Sequence, residues 1–192
     1  MFKGETLECF LQGMKNIFNH IGKVPHKIWF DNASAIMAPL TKNRDRKVRE
    51  KFLRFCNHYH FQAVFCNPNS GHEKGNVENK VGFKRRNFLV TVPRIDELVS
   101  YNEEILKKSD QAMEKEHYKK EETIQQLFQE DKEKSLDLNP IDFPIESIKQ
   151  IKTDHYGKVR LNEGKHVYSA SPQYTLRKVW VCQGAYNVRI LD

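Results

Sequence analysis

The sequence predicts an α/β layered domain that is followed by a small all-β module. Residues 5–89 alternate helix, strand, helix, strand and helix, which is the element order of layered α/β folds. From Ile145 onward apolar residues recur with a period of two, and five short strands within about fifty residues favour a small barrel. A lysine- and glutamate-rich segment lies between these two parts.

The first predicted strand carries an acid at its end. A helix is expected over residues 5–21, because apolar side chains recur there at helical spacing and Gly22 and Pro25 follow. A short apolar strand is then expected over residues 27–30, and Asp31 terminates it.

The rest of the layered domain repeats this order. A basic loop over residues 42–49 leads into a second helix, expected over 46–59, and a second strand is expected over 61–66. The turn-forming sequence Asn-Pro-Asn-Ser-Gly at 67–71 then precedes a third helix over 74–89.

The composition changes after Pro93. Residues 95–134 predict solvent-facing helices that act as a connector, and residues 136–144, with two prolines, are interpreted as a linker. Strands are expected at 148–153, 157–161, 165–170, 178–182 and 186–191. The expected division is therefore a layered domain at 1–93, a charged helical connector and linker at 94–144, and a small β-barrel at 145–192.

The overall charge favours a polyanionic partner. Lysine and arginine number 32 against 25 acidic residues, which gives a formal net charge of +7, and the isoelectric point is about 9.2. This surplus indicates nucleic acid before membrane, and no apolar run approaches the roughly 20 residues of a membrane span. The four cysteines are scattered, which is typical of free thiols in a reducing cytoplasm.

Two carboxylates stand out against this background. Asp31 follows a buried-type strand, where a side chain can leave the sheet and face a ligand. Glu78 lies on the third predicted helix with Gly75 and Gly82 one turn away on either side, which leaves room for a metal ion or a phosphate backbone. The alternatives stay open: Asp31 and Asn32 would also cap a helical turn, and Glu78 would also suit a solvated helix face.

Basic residues crowd the same third helix. They would hold phosphates while the acid holds a metal, although a charge run is also what a solvated helix face looks like. These residues are Lys74, Lys80, Lys84, Arg85 and Arg86.

Taken together, these motifs resemble a known family. The strand ending in Asp-Asn, the Asn-Pro-Asn-Ser-Gly turn and the sequence Lys-Gly-Asn-Val-Glu-Asn at 74–79 resemble the retroviral-integrase-like core of DDE transposases. Within that group the chain is most similar to the IstA-type insertion-sequence transposases. The sequences at 155–159 and 168–169 resemble the small β-barrel that follows the core in those proteins and in bacteriophage Mu transposase.

The resemblance implies a fold and roles for individual residues. The fold is the RNase H-like integrase core, in which Asp31 matches the second acid of the DDE triad and Glu78 the closing glutamate. Lys74 and Asn79 match positions that lie beside DNA. The first strands of that core, with the first Asp, have no counterpart ahead of the first helix, so we expect an N-terminally truncated core.

The implied chemistry is DNA transposition and integration. Three carboxylates would hold two Mg²⁺ (or Mn²⁺) ions for strand cleavage by water and then for strand transfer by the freed 3′-hydroxyl. Asp45, Glu50 and Glu73 do not replace a first-strand acid, so we expect this chain to be inactive by itself, and whether it is an enzyme stays open. The alternative is a non-catalytic DNA-binding remnant or regulator.

The resemblance also implies partners and a location. Double-stranded DNA of the transposon ends and target, an AAA+ ATPase helper and further copies of the chain on DNA are the expected partners. No membrane partner is expected, and the location is the bacterial cytoplasm at the nucleoid.

Overall fold

A computed structural model gives the fold of most of the chain. It describes residues 1–30, 35–37, 48–65, 82–83, 85–90, 94–161 and 164–192. Grouped by their contacts, the residues form two units. The core unit comprises residue 1 and residues 13–142, and the sheet unit comprises residues 2–12 and 143–192.

The first helix and the strand after it match the prediction. Helix α1 spans Leu7–Ile21. Gly22 ends it with a φ of +73°, and its N–H donates to the Phe18 carbonyl at 2.7 Å. Glycine adopts this left-handed conformation with little strain, so it suits a helix C-terminus. Strands β1 (Lys23–Val24) and β2 (Lys27–Phe30) follow.

The next helix connects two parallel strands. Helix α2 spans Glu50–His58 and β3 spans Gln62–Phe65, and β3 pairs with β2 in parallel. The helix begins four residues later than predicted, because Val48 forms an antiparallel bridge with Met37 and the backbone of the following residue is still extended. The strand–helix–strand order that the sequence predicts is confirmed.

Aromatic rings form the centre of the core unit. The Phe18 ring on α1 lies 5.3 Å from Tyr59, 5.7 Å from Phe61 and 6.1 Å from Phe55, measured between ring centroids. All four side chains are buried. A buried aromatic ring removes about 150–250 Å² from water, so these few residues supply much of the apolar stabilisation of the unit.

The segment interpreted as a linker contains a strand. Strand β4 (Leu136–Asp137) pairs antiparallel with β1, and the Lys23 ammonium lies 2.5 Å from the Asp137 carboxylate. Farther on, the His58 Nε2 donates to the Ile141 carbonyl at 2.7 Å. The segment interpreted as a linker therefore includes a short strand that the sequence did not predict, because two residues are too few to produce a periodic pattern.

The charged connector consists of helices. Helix α3 spans Leu98–Gln111, a 3₁₀ turn covers Ala112–Glu114, and α4 spans Ile124–Glu133. Thr123 and Gln126 form a capping box at the start of α4. Neither helix has a buried residue, which confirms the prediction of solvent-facing helices. None of the helices in the described part of the chain is long and apolar enough to cross a lipid bilayer.

All five strands predicted for the C-terminal part are present in the sheet unit. They are β5 (Ser147–Lys152), β6 (Lys158–Leu161), β7 (His166–Ser169), β8 (Lys178–Gln183) and β9 (Val188–Leu191). The order β5–β8–β9 forms one antiparallel sheet and β6–β7 form a separate hairpin. The described strands therefore do not close into the expected barrel, because no ladder joins the hairpin to the sheet.

The core of the sheet unit lies between the hairpin and one face of the sheet. Val159 and Leu161 on β6 are buried together with Val179 and Val181 on β8. Side chains of a strand alternate between its two faces. Because Val179 and Val181 of β8 face the core, Trp180 between them lies on the opposite face. The RNase H-like assignment and the three-part division of the chain stay predictions.

Candidate functional site

The parallel strand pair ends where the first candidate acid follows. Phe30 and Phe65 are the last residues of β2 and β3 and are partners in the register, so the chain leaves both strands at the same edge. Asp31 follows Phe30 in the sequence. Ligand sites of parallel sheets lie beyond the carboxyl ends of the strands, which is where this edge is.

Most of the predicted site residues lie outside the described part of the chain. This holds for both candidate catalytic and metal-binding acids, and the meeting of the two carboxylates stays a prediction. The residues concerned are Asp31, Lys74, Glu78, Asn79, Lys80 and Lys84.

Phe30, the residue before Asp31, packs against three other aromatic rings. The Phe30 side chain is buried, and its ring lies 5.2 Å from Phe52, 6.0 Å from Phe65 and 6.3 Å from Phe61. Aromatic pairs of this kind contribute about 0.5–1.5 kcal/mol each beyond their buried area. Helix α2 and strand β3 therefore fix the end of β2 from which the candidate site begins.

The opposite face of the parallel pair is open. Trp29 alternates with the buried Phe30 and is 54% exposed, although Val64 lies beside it in the register. Parallel strands normally occur in sheets that are covered on both faces. This face of β2 and β3 therefore presents one large exposed apolar side chain, that of Trp29.

The base of the predicted basic loop is closed by described residues. Met37 and Val48 form a bridge, and the Arg49 backbone N–H donates to the Ile36 carbonyl at 2.9 Å. The Arg49 Nε donates to the Met37 carbonyl at 3.0 Å. Arg49 therefore has a structural role at the loop base, which the sequence interpretation of a basic loop missed.

Arg85 and Arg86 are the predicted DNA-binding residues that the structure describes. Both are exposed, and residues 85–88 are helical. The Arg86 guanidinium lies over Gly82, where an added Cβ would be 3.2 Å from its Nη1. The missing side chain at Gly82 therefore leaves room for a cation on this helix, and neither arginine forms an ion pair with a described acid.

The described residues offer no competing metal site. No group of three histidine, cysteine, aspartate or glutamate side chains among them is placed to hold a metal ion. Burial raises the pKa of the Cys56 thiol to about 12, so this cysteine is protonated at neutral pH and is a poor metal ligand.

The sequence at 155–159 forms a turn whose residues have structural roles. Gly157 has a φ of +66°, and a Cβ there would lie 2.2 Å from the Ser171 carbonyl oxygen. The Asp154 carboxylate accepts hydrogen bonds from the Lys158 and Tyr156 backbone N–H groups, both at 2.9 Å, and these bonds lower its pKa. This motif is therefore explained by chain geometry between β5 and β6.

Comparison with known proteins gives relatives of one kind. No family model matches the chain. A transposase of Aminobacter aminovorans is 32% identical over 99 residues, which cover 52% of this chain and 20% of that protein. A transposase for insertion sequences IS1326/IS1353 from Pseudomonas aeruginosa is 27% identical over 136 residues, or 70% of this chain and 27% of that protein.

A third relative is similar over a shorter segment of the chain. A transposase for an IS21-like insertion sequence element from Bacteroides fragilis is 37% identical over 73 residues, which cover 38% of this chain and 14% of that protein. Each match spans little more than a quarter of the relative, or less. Over these segments, the chain is similar to insertion-sequence transposases.

Proposed function

We propose that this chain acts in DNA transposition as part of a DDE transposase core of the IstA type. The observation that carries the proposal is the parallel β2–α2–β3 unit, whose strands end together at Phe30 and Phe65, immediately before Asp31. The relatives support it, because they are named as insertion-sequence transposases. The activity, substrates and partners of a whole transposase are part of the proposal.

The donor set suits the ions that this chemistry uses. Asp31 and Glu78 both offer carboxylate oxygens. Hard oxygen ligands of this kind are the ones that Mg²⁺ prefers, and Mn²⁺ accepts them as well. Two such ions, held by carboxylates, would supply activation of the attacking oxygen and stabilisation of the leaving oxygen.

The residues of the chain itself have the following proposed roles. Asp31 and Glu78 hold the metal, and Asn79 orients DNA beside them. The cations bind phosphates, so their contribution to affinity falls as salt rises. These cations are Lys74, Lys80, Lys84, Arg85 and Arg86.

Two acids are too few for a clamp on two ions. The first Asp of the triad is matched by no residue in the resemblance, so we propose that these residues bind DNA and metal but do not cleave alone. An AAA+ ATPase helper, assembly of copies on DNA and a location at the nucleoid rest on the resemblance alone.

The alternative function is a non-catalytic DNA-binding regulator. The exposed Arg85 and Arg86 favour it. The two functions differ in whether the acids matter: a regulator needs its cations but neither Asp31 nor Glu78.

A cleavage assay on the purified chain tests the claim of an incomplete triad, whereas weaker divalent-ion binding in Asp31→Asn and Glu78→Gln would separate the transposase core from the regulator. We expect duplex DNA to be bound and, with Mg²⁺ added, to remain uncut, and we expect Asp31→Asn and Glu78→Gln to leave binding in EDTA unchanged. Cleavage that Asp31→Asn abolishes would overturn the claim of an incomplete triad. Cleavage that neither substitution affects would overturn the assignment of both acids.

A further inference from the structure

The outer face of the β5–β8–β9 sheet carries an exposed indole. Val179 and Val181 face the core of the sheet unit, so Trp180 between them faces outward and is 45% exposed. The register places Trp180 between Gln150 on β5 and Leu191 on β9, and Leu191 is also 48% exposed. Trp180 and Leu191 therefore form an exposed apolar platform on this face.

Two lysines lie at one end of the platform. Lys152 and Lys178 are direct partners in the register of β5 and β8, and both are exposed. Lys178 is two residues before Trp180, so both side chains leave the same face about 7 Å apart along the strand. Like charges directly opposite each other destabilise a sheet, so this pair favours a bound anion.

The acids of the sheet unit do not neutralise this pair. Glu146 is engaged by Arg189, and the Asp192 carboxylate accepts a hydrogen bond from the Tyr174 hydroxyl at 3.2 Å. Asp154 accepts its two backbone hydrogen bonds in the turn after β5. In the described part of the unit, neither lysine has an acid within ion-pair distance.

The N-terminal segment of the sheet unit contacts the other end of the strands. Glu8 is hydrogen-bonded to Ser147, the Cys9 thiol donates to the Ala185 carbonyl at 3.6 Å, and the Phe2 ring lies 5.3 Å from Tyr186. In the register, Ser147 lies at the opposite end of the β5–β8 ladder from the two lysines. These contacts leave the lysines and the indole accessible.

We propose that this outer face binds single-stranded nucleic acid. Trp180 stacks on an unpaired base, and Lys152 and Lys178 hold the phosphates on the adjacent backbone. Aromatic platforms flanked by cations bind single strands without sequence preference, because every base has a π-face. A duplex keeps its bases stacked on one another and offers the indole no base face. An acidic peptide would satisfy the lysines without needing the indole.

The residues of this face belong to the sheet unit, whereas Asp31 and Glu78 fall within the sequence range of the core unit. Its binding needs no metal, so it can be measured in EDTA, where failure of the DDE proposal does not affect the result. The chain has two tryptophans, Trp29 and Trp180, so a Trp29→Phe background makes Trp180 the sole fluorescent indole.

The first experiment titrates this full-length Trp29→Phe chain with oligo-dT, with a duplex of equal length and with poly-glutamate. We expect oligo-dT to quench Trp180 fluorescence saturably and the other two ligands to leave it nearly unchanged. Absence of quenching by oligo-dT, or equal quenching by the duplex or by poly-glutamate, would overturn the proposal.

The second experiment compares affinities for labelled oligo-dT by anisotropy. Trp180→Ala should weaken binding by about tenfold or more, as loss of a stacked base does. Lys178→Ala should also weaken it and lower the slope of log K against log salt by about 0.7, the value for one phosphate of a single strand. Circular dichroism checks that each variant is folded.

Lys165→Ala is the matched control. Lys165 is exposed in the same unit but precedes β7 on the separate hairpin, and its removal changes the net charge equally. We expect this variant to bind oligo-dT like the parent. A loss equal to that of Lys178→Ala, or Trp180→Ala binding as tightly as the parent, would overturn the assignment to this face.

Discussion

Replacing Gly157 tests how closely two backbone segments of the sheet unit approach each other. It has a φ of +66°, and an added Cβ would meet Ser171 backbone atoms at 2.2 Å and 2.9 Å and the Pro172 Cα at 3.3 Å. These are backbone atoms that cannot rotate away. Gly157→Ala therefore forces the turn between β5 and β6 apart from the segment at Ser171.

The expected loss has two parts. A non-glycine residue in the left-handed region costs about 1–2 kcal/mol. Moving the turn also weakens the hydrogen bond from the Ala170 N–H to the Gly157 carbonyl, now 2.8 Å, and overpacking of this kind costs about 1–3 kcal/mol. The free energy of unfolding should therefore fall by about 2–5 kcal/mol, the sum of the two ranges.

Gly164→Ala separates the two parts. Gly164 has a φ of +87° but no atom within 4 Å of an added Cβ, so only the conformational part applies. Urea denaturation followed by Trp180 fluorescence, in the Trp29→Phe background, measures the sheet unit. Equal losses for both variants would refute the steric argument and the close approach of Ser171 on which it rests.

Three further predictions concern the core unit, the cations and the turn acid. Phe52→Ala should lower the free energy of unfolding by about 3–5 kcal/mol in urea denaturation, because it removes a buried ring that packs against Phe30. Arg86→Ala should weaken duplex DNA binding at all sequences and lower the salt slope by about 0.9, as expected for one phosphate contact. Asp154 accepts backbone hydrogen bonds that lower its pKa, so its stabilisation is present above the ordinary value of 3.8 and is lost as the pH falls through the lowered value. Asp154→Asn should remove that acid dependence from the unfolding free energy.

Each of these has a control. Leu53→Ala, at a side chain 46% exposed, should change stability far less than Phe52→Ala, and an equal loss would contradict the aromatic packing. Lys119→Ala should leave the salt slope of DNA binding unchanged, and a drop like that of Arg86→Ala would mean that only net charge matters. An unchanged acid transition in Asp154→Asn would mean that other carboxylates control it.

The sequence predicted well those helices and strands that are determined by their own residues and by the turns next to them. The strand expected at 27–30 was found as Lys27–Phe30, and each strand of the sheet unit lies within two residues of its expected bounds. Alternating burial and turn residues determine such elements, so a sequence pattern contains the information needed.

Features that depend on distant pairing were not predictable. The β1–β4 pair joins two-residue segments far apart in the chain, and α2 starts late because Val48 pairs with Met37. The exposure of Trp180 could not be predicted for a related reason. Apolar residues occupy both faces of β8, so the pattern does not indicate which face the rest of the unit covers.

The same distinction between local patterns and distant contacts applies to the candidate site. The motifs that contain Asp31 and Glu78 predicted which acids to examine, and the parallel register agrees with a site at the end of β2. The hydrogen bond from Arg49 to Met37 depends on how the loop base folds back, which residue type and spacing do not specify.

The central claim is that Asp31 and Glu78 bind one divalent ion together, and Mn²⁺ binding tests it most directly. The electron paramagnetic resonance signal of free Mn²⁺ should fall as the purified chain is added with duplex DNA. Asp31→Asn and Glu78→Gln should each weaken this binding by about tenfold or more, equivalent to about 1.4 kcal/mol, whereas Glu50→Gln should not change it. Mn²⁺ binding that is absent from the parent chain, or unchanged in both acid variants, would contradict the claim.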